Sequence, residues 1–173
     1  MKWIAIVLAV LVVAVLGIAW TRPASVQISR SARIDAPPEQ VYALIVDLHA
    51  FNRWNPWAKM DPDIVLRYEG PESGVGAVSA WESRKVGTGR MTITETEAPN
   101  RIAIRLDFIE PFASTSFASF SLTGGSGATE VVWEMHGPVS FPQRVIGVFV
   151  DMERMMGRTF EDGLTDLRRI AEP

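Results

Sequence analysis

"PQRVIGVFVDMERMMGRTFEDGLTDLRRIA" (Pro142–Ala171) is the stretch on which the rest of the chain turns. Its apolar residues fall at Val145, Phe149, Met152, Met156, Phe160, Leu164, Leu167 and Ile170, in steps of three and four. That spacing is one face of an α-helix, and it predicts a single long helix over the whole stretch. Pro142 suits a first turn, and Pro173 lies past the end. "DMERMMGR" mixes charges with methionines, as a helix with one wet face does. Gly147, Gly157 and Gly163 each cost about 1 kcal/mol against alanine inside a helix. Their presence predicts close backbone approach or a bend. A terminal amphipathic helix needs a surface to lie on.

The upstream sequence supplies one. "RIAIRLDFI" (Arg101–Ile109) alternates, with Ile102, Ile104, Leu106 and Phe108 on one face. "STSFASFSL" (Ser114–Leu122) and "TEVVWEMHG" (Thr129–Gly137) flank "TGGSGA", a hairpin loop. "GVGAVSAWES" (Gly74–Ser83) and "VGTGRMTITETEA" (Val86–Ala98) precede them, with short Ile64–Glu69 before those. "SVQISRSARID" (Ser25–Asp35) reads as the first strand. Six or seven strands joined by tight turns predict an antiparallel sheet. After the first strand, Asp35 and the following prolines start a helix, "EQVYALIVDL", with Val41, Leu44, Ile45 and Leu48 on one face. "HAFNRWNPW" (His49–Trp57) reads as a second short helix or turn stopped by Pro56. The fold class is α+β. A strongly twisted sheet curls, and one helix laid in its concave face leaves space for a ligand cavity.

At the other end of the chain, Trp3–Trp20 runs "WIAIVLAVLVVAVLGIAW", without a charge. As a helix it is about 27 Å long, close to the hydrocarbon thickness of a bilayer. Tryptophan at each end suits the headgroup level, and Lys2 and Arg22 bracket the span. The segment is apolar all round, unlike a surface helix. Residues 1–22 therefore read as a single-pass transmembrane anchor or uncleaved signal-like segment. A cleaved signal peptide, cut at the small-x-small Gly17-Ile18-Ala19, is the alternative. Lys2 on one side and Arg22, Arg30 and Arg33 on the other leave the membrane side open. Residues 23–27 form a linker, and residues 28–172 one domain. A net charge of −3 with no Lys/Arg run argues against nucleic acid as a partner. The absence of cysteine removes disulfides, thiolate chemistry and cysteine-based zinc sites.

Several motifs together resemble a known group. "SRSARIDAPPEQVYALIVDLHAFNRWNPW" holds an opening strand, an I-x-A-P-x-x-V-[YF]-like helix start and a W-x-x-W-like element. "GPESGVGAVSAWES", "VGTGRMTITETEAPNRI", "LDFIEPFASTSFASFSL" and "TEVVWEMHG" are similar to its sheet, and "FEDGLTDLRRIAE" to its closing helix. The chain thus resembles the SRPBCC superfamily, and specifically its polyketide cyclase/dehydratase-like branch. The resemblance implies a helix-grip (Bet v 1/START-like) fold, a curved antiparallel sheet wrapped around a long C-terminal helix. It implies little about activity, because members hold very different ligands.

Alternation and the helix stripe then nominate a cavity lining. The sheet contributes Trp81, Met91, Ile93, Ile104, Leu106, Phe108, Phe117, Val131, Trp133 and Met135. The helix contributes Phe149, Met152, Met156 and Phe160. In such a fold Trp54 and Trp57 would seal the short helices against the sheet, as packing or as a ligand gate. Tyr42 and Tyr68 are candidate polar handles. Glu82, Asp107 and Glu134 fall opposite their apolar neighbours and read as surface, with Arg105 beside Asp107. His49 and His136 are too isolated to make a metal site. "GVG" and "GTG" open no helix and read as strand starts or bulges. No catalytic group, metal or cofactor is nominated. The expected role is a membrane-anchored binding module for a hydrophobic small molecule or lipid. The alternatives are a cyclase/dehydratase-like enzyme and an interaction or stress-related scaffold without ligand.

Overall fold

A computed structural model describes Lys2–Gly125 and Gly127–Glu172. The apolar start is a helix, α1 (Lys2–Thr21), and β1 (Ser25–Ile34) follows. Then come α2 (Pro38–Val46), α3 (Leu48–Phe51) and α4 (Pro56–Met60). Six strands succeed them: β2 (Val65–Glu69), β3 (Val78–Ser83), β4 (Gly87–Glu97), β5 (Arg101–Glu110), β6 (Ser114–Gly124) and β7 (Thr129–Pro138). The chain closes with α5 (Phe141–Gly147) and α6 (Met152–Ala171). All neighbouring strands are antiparallel, in the order β1-β7-β6-β5-β4-β3-β2. The helix-grip architecture expected from the sequence is the one found.

Period-two alternation gives the sheet one buried face. Ile102 and Ile104 of β5 meet Phe120 and Ala118 of β6, which in turn meet Trp133 and Met135 of β7. α6 lies on this face. Its Phe160, Leu164 and Leu167 are fully buried, and the Phe160 ring stacks on Trp133 with centroids 4.1 Å apart. The Arg30 side chain of β1 reaches over α6 to pair with Glu153 at 2.9 Å and Glu161 at 2.8 Å. It passes where a Cβ on Gly157 would stand, which accounts for that glycine. Gly163 has a similar reason: a Cβ there would lie 2.9 Å from the Trp133 ring and 3.0 Å from Pro56. Overpacking of this kind costs about 1–3 kcal/mol. Gly163→Leu is expected to lower the thermal midpoint correspondingly. Gly147→Ala, with nothing within 4 Å, is expected to leave or raise it.

Four local expectations need correcting. The long terminal helix is two helices, because Gly147 is followed by Val148-Phe149-Val150 and then by Asp151, whose carboxylate caps α6 through the Arg154 N–H at 3.0 Å. Pro56 opens α4 instead of ending a helix, with the Asn55 side chain accepting the Trp57 N–H at 3.2 Å. Asp35 does not cap α2; Pro37 holds that position, and the Asp35 N–H donates to Glu172. β3 begins at Val78, because Gly74 and Gly76 take positive φ in the preceding turn. Pro173 and Ser126 of the "TGGSGA" loop lie outside the described residues.

Candidate functional site

Between α6 and the sheet lies a cavity of about 410 Å³, within the usual range for small-molecule sites. Residue size along the strands explains where it forms. Trp133, Phe120 and Ile102 sit side by side across β7, β6 and β5 and fill the inner face. Two side-chain layers closer to the β1 start, past Ile104, Ala118 and Met135, the inward residues shrink. Leu106 faces Ser116 of β6 and Met91 of β4, which faces Ser79 of β3. Gly137 lies against the Ser116 hydroxyl so closely that no Cβ would fit. This smaller layer is the cavity wall.

The inner end is closed by aromatic rings. Trp133 stacks on Phe120 at 5.0 Å and meets Trp57 edge-on at 5.8 Å. Trp54 packs behind, edge-on to Phe120 and Trp133. The outer end is rimmed by Pro111 and Phe112 after β5 and by Gln143, Ile146 and Met152 of α5 and α6.

A short polar chain enters the wall. Asn55 Nδ2 donates to Asn52 Oδ1 at 3.0 Å, and Asn52 Nδ2 donates to Tyr68 Oη and Ser79 Oγ, each at 3.0 Å. The Tyr68 ring stacks on His49 at 3.7 Å, outside the cavity. Asn52, Asn55, Ser79, Ser114, Ser116 and Gln143 give the wall neutral hydrogen-bonding groups. Among the described residues, Glu110 is the one ionisable side chain on it, and it is exposed. The shifted carboxylates lie elsewhere. Arg105, then the Thr115 hydroxyl, hold Asp107 below the usual carboxylate range on the outer face. The Ser83 hydroxyl, at 2.6 Å, does the same for Asp61 beside α4.

Most of the nominated side chains converge. Trp57, Trp81, Met91, Ile104, Leu106 and Phe108 line the cavity, as do Trp133, Met135, Met152, Met156 and Phe160. Three do not. Trp54 is fully buried behind the wall, and its indole N–H donates to the Leu44 carbonyl at 2.9 Å. Phe117 points to the outer face, 45% exposed and stacked on His136. It pairs with Arg105, which the sequence already placed outward. Phe149 is 73% exposed in the break between α5 and α6. Ile93 and Val131 are buried core. Tyr42 is off the wall, and Tyr68 reaches it only through Asn52.

The sequence reading missed Asn52, Asn55, Ser79 and Ser116, and it missed Ala118 and Phe120. For β6 a signal existed: Ser116, Ala118, Phe120 and Leu122 share one parity, and all are buried. The two asparagines carried only helical spacing, which says nothing of a cavity.

A family model described as polyketide cyclase/dehydrase and lipid transport matches residues 25–172. No curated protein matches the chain. Among solved structures, CalU16 from Micromonospora echinospora is 21% identical, with a TM-score of 0.58, covering 88% of this chain and 82% of its own. CV1439 from Chromobacterium violaceum is 18% identical, with a TM-score of 0.57, over 88% of this chain and 99% of its own. MLL2253 from Mesorhizobium loti is 14% identical, with a TM-score of 0.61, over 84% and 96%. At these identities the likeness speaks for the fold alone. The family model, spanning the whole sheet and both closing helices, identifies the chain as a member of the polyketide cyclase/dehydrase and lipid transport family, of SRPBCC type.

Proposed function

We infer that this chain is a membrane-tethered binding module that holds a hydrophobic small molecule or lipid inside its domain. The observation that carries this reading is the hollow itself: about 410 Å³, walled by aromatic, aliphatic and methionine side chains, with neutral polar groups at a few points. Burying an apolar ligand there is favourable at roughly 25 cal/mol per Å² of surface removed from water. Methionines such as Met91, Met135, Met152 and Met156 adapt to more than one apolar shape. α1 supports the tether. It is 20 residues long, and Ala19 is its one buried residue among those described. A bilayer would cover the rest.

The test is extraction of the purified full chain with organic solvent, followed by mass spectrometry. A recurring apolar compound in near-stoichiometric amount is expected. Recovery of nothing beyond bulk membrane lipid, in its bulk proportions, would count against the reading.

One feature favours a cyclase- or dehydratase-like enzyme as the second reading. The Asn55–Asn52–Ser79 chain places an oriented hydroxyl on the wall, suited to fix a ligand carbonyl. Turnover would still need a proton donor or acceptor in reach. The third reading, a scaffold with a closed interior, finds no support in an open cavity of this size.

A further inference from the structure

The geometry points to a cavity mouth seated on the same bilayer that α1 enters, so that the hollow opens into lipid and not into water. This rests on the reading of α1 as a retained anchor, and it deepens that reading by naming where the ligand comes and goes.

Strand direction carries the first part. Only Arg22, Pro23 and Ala24 separate α1 from β1. The start of β1 pairs with the end of β7, Ser25 opposite Pro138. β5 ends and β6 begins at this same end of the sheet, as does the β7–α5 junction. The tip between β5 and β6 and the corner between α5 and α6 therefore flank the point where the chain leaves α1. α5 also docks on α1 directly. Trp20 meets Phe141 edge-on at 6.0 Å, Arg144 donates to the Arg22 carbonyl at 3.4 Å, and Ala19 is buried.

The second part is what these two elements expose. The β5–β6 tip shows Ile109 and Phe112 to solvent, and the α5–α6 corner shows Ile146, Phe149 and Val150. Phe112 and Ile146 are also part of the cavity rim, so the exposed apolar surface runs continuously into the hollow. At the opposite end of the sheet, Val75 is the one comparable exposed side chain among the described residues. Exposed apolar surface concentrated at one place marks an interaction site. Charges of both signs, Arg22, Arg84, Lys85 and Arg144 against Asp61, Glu110 and Asp151, share this end, so the exposed apolar side chains, and not a field of one sign, select the partner. The helix that ends beside this surface is itself 20 apolar-rich residues long, which commits the occupant to a bilayer.

The chain has no cysteine, so single nitroxide labels can be placed one at a time on the full chain: Val12→Cys, Phe112→Cys, Phe149→Cys and Ala98→Cys. The chain is reconstituted in vesicles of phosphatidylcholine and phosphatidylglycerol. Electron paramagnetic resonance then compares collisions with oxygen and with a water-soluble nickel chelate. Labels at 12, 112 and 149 are expected to favour oxygen, and the label at 98, on the far turn, to favour nickel. Labels at 112 and 149 that behave like 98, while 12 remains in lipid, overturn the seated mouth and leave the anchor standing. A label at 12 that is aqueous, or lost by processing, removes the anchor reading and this inference with it.

Discussion

Trp133→Ala is expected to destabilise the domain by about 3–5 kcal/mol, the usual range for removing a buried large aromatic side chain. Its ring lies between Phe120 at 5.0 Å and Phe160 at 4.1 Å, with Trp54 and Trp57 edge-on to it. It therefore joins the sheet, α6 and the short-helix element at one point. Rigid β7 backbone on one side and α6, held by Arg30, on the other limit collapse into the space left. Urea denaturation of the full chain reads the cost. The same variant opens the closed inner end of the cavity and should change which ligand is retained. A cost under about 1 kcal/mol, within the range of ordinary surface changes, would show that these rings do not bear the contact between helix and sheet.

Leu106→Trp should act in the reverse sense, with a large effect on binding and a small one on stability. Leu106 stands mid-strand on β5, between Met91 and Ser116, and its side chain points into the hollow. In a close-packed core the added ring would cost about 1–3 kcal/mol. Here it has open volume to enter. Ligand recovered by extraction is expected to fall at least about tenfold, equivalent to about 1.4 kcal/mol, with the urea midpoint nearly unchanged. Full ligand retention with a lowered midpoint would mean that the wall near Leu106 is packed and the ligand sits elsewhere.

The sheet and its closing helix were legible because their signals are periodic. Ile102, Ile104, Leu106 and Phe108 could alternate only as a half-buried strand, and the faces they imply are the faces found. The same logic nominated Trp81, Met91, Trp133, Met135 and Phe160 as inward residues, and all five border the cavity. It failed where the residue type was followed in place of the parity. Phe117 and Phe120 are three apart, so they must lie on opposite faces, and Phe120 is the inward one. Phe149 failed differently. Its spacing fits the stripe, but Gly147 and the capping carboxylate of Asp151 end one helix and begin another around it. Trp54 and Trp57 looked alike in sequence. α4, opened at Pro56, separates them: Trp57 turns to the cavity, while Trp54 packs behind Phe51 and Phe120. The polar chain through Asn52 and Ser79 joins residues on α3's C-cap and on β3, which no local pattern connects.

The most direct test is a crystal structure of the full chain purified from the membrane in which it was made. Continuous, elongated density that is not protein, running from the Trp133–Phe160 stack toward Phe112, is the predicted result. A hollow occupied by an ordered water network, or closed by α6 settling onto Leu106 and Met91, would contradict the account.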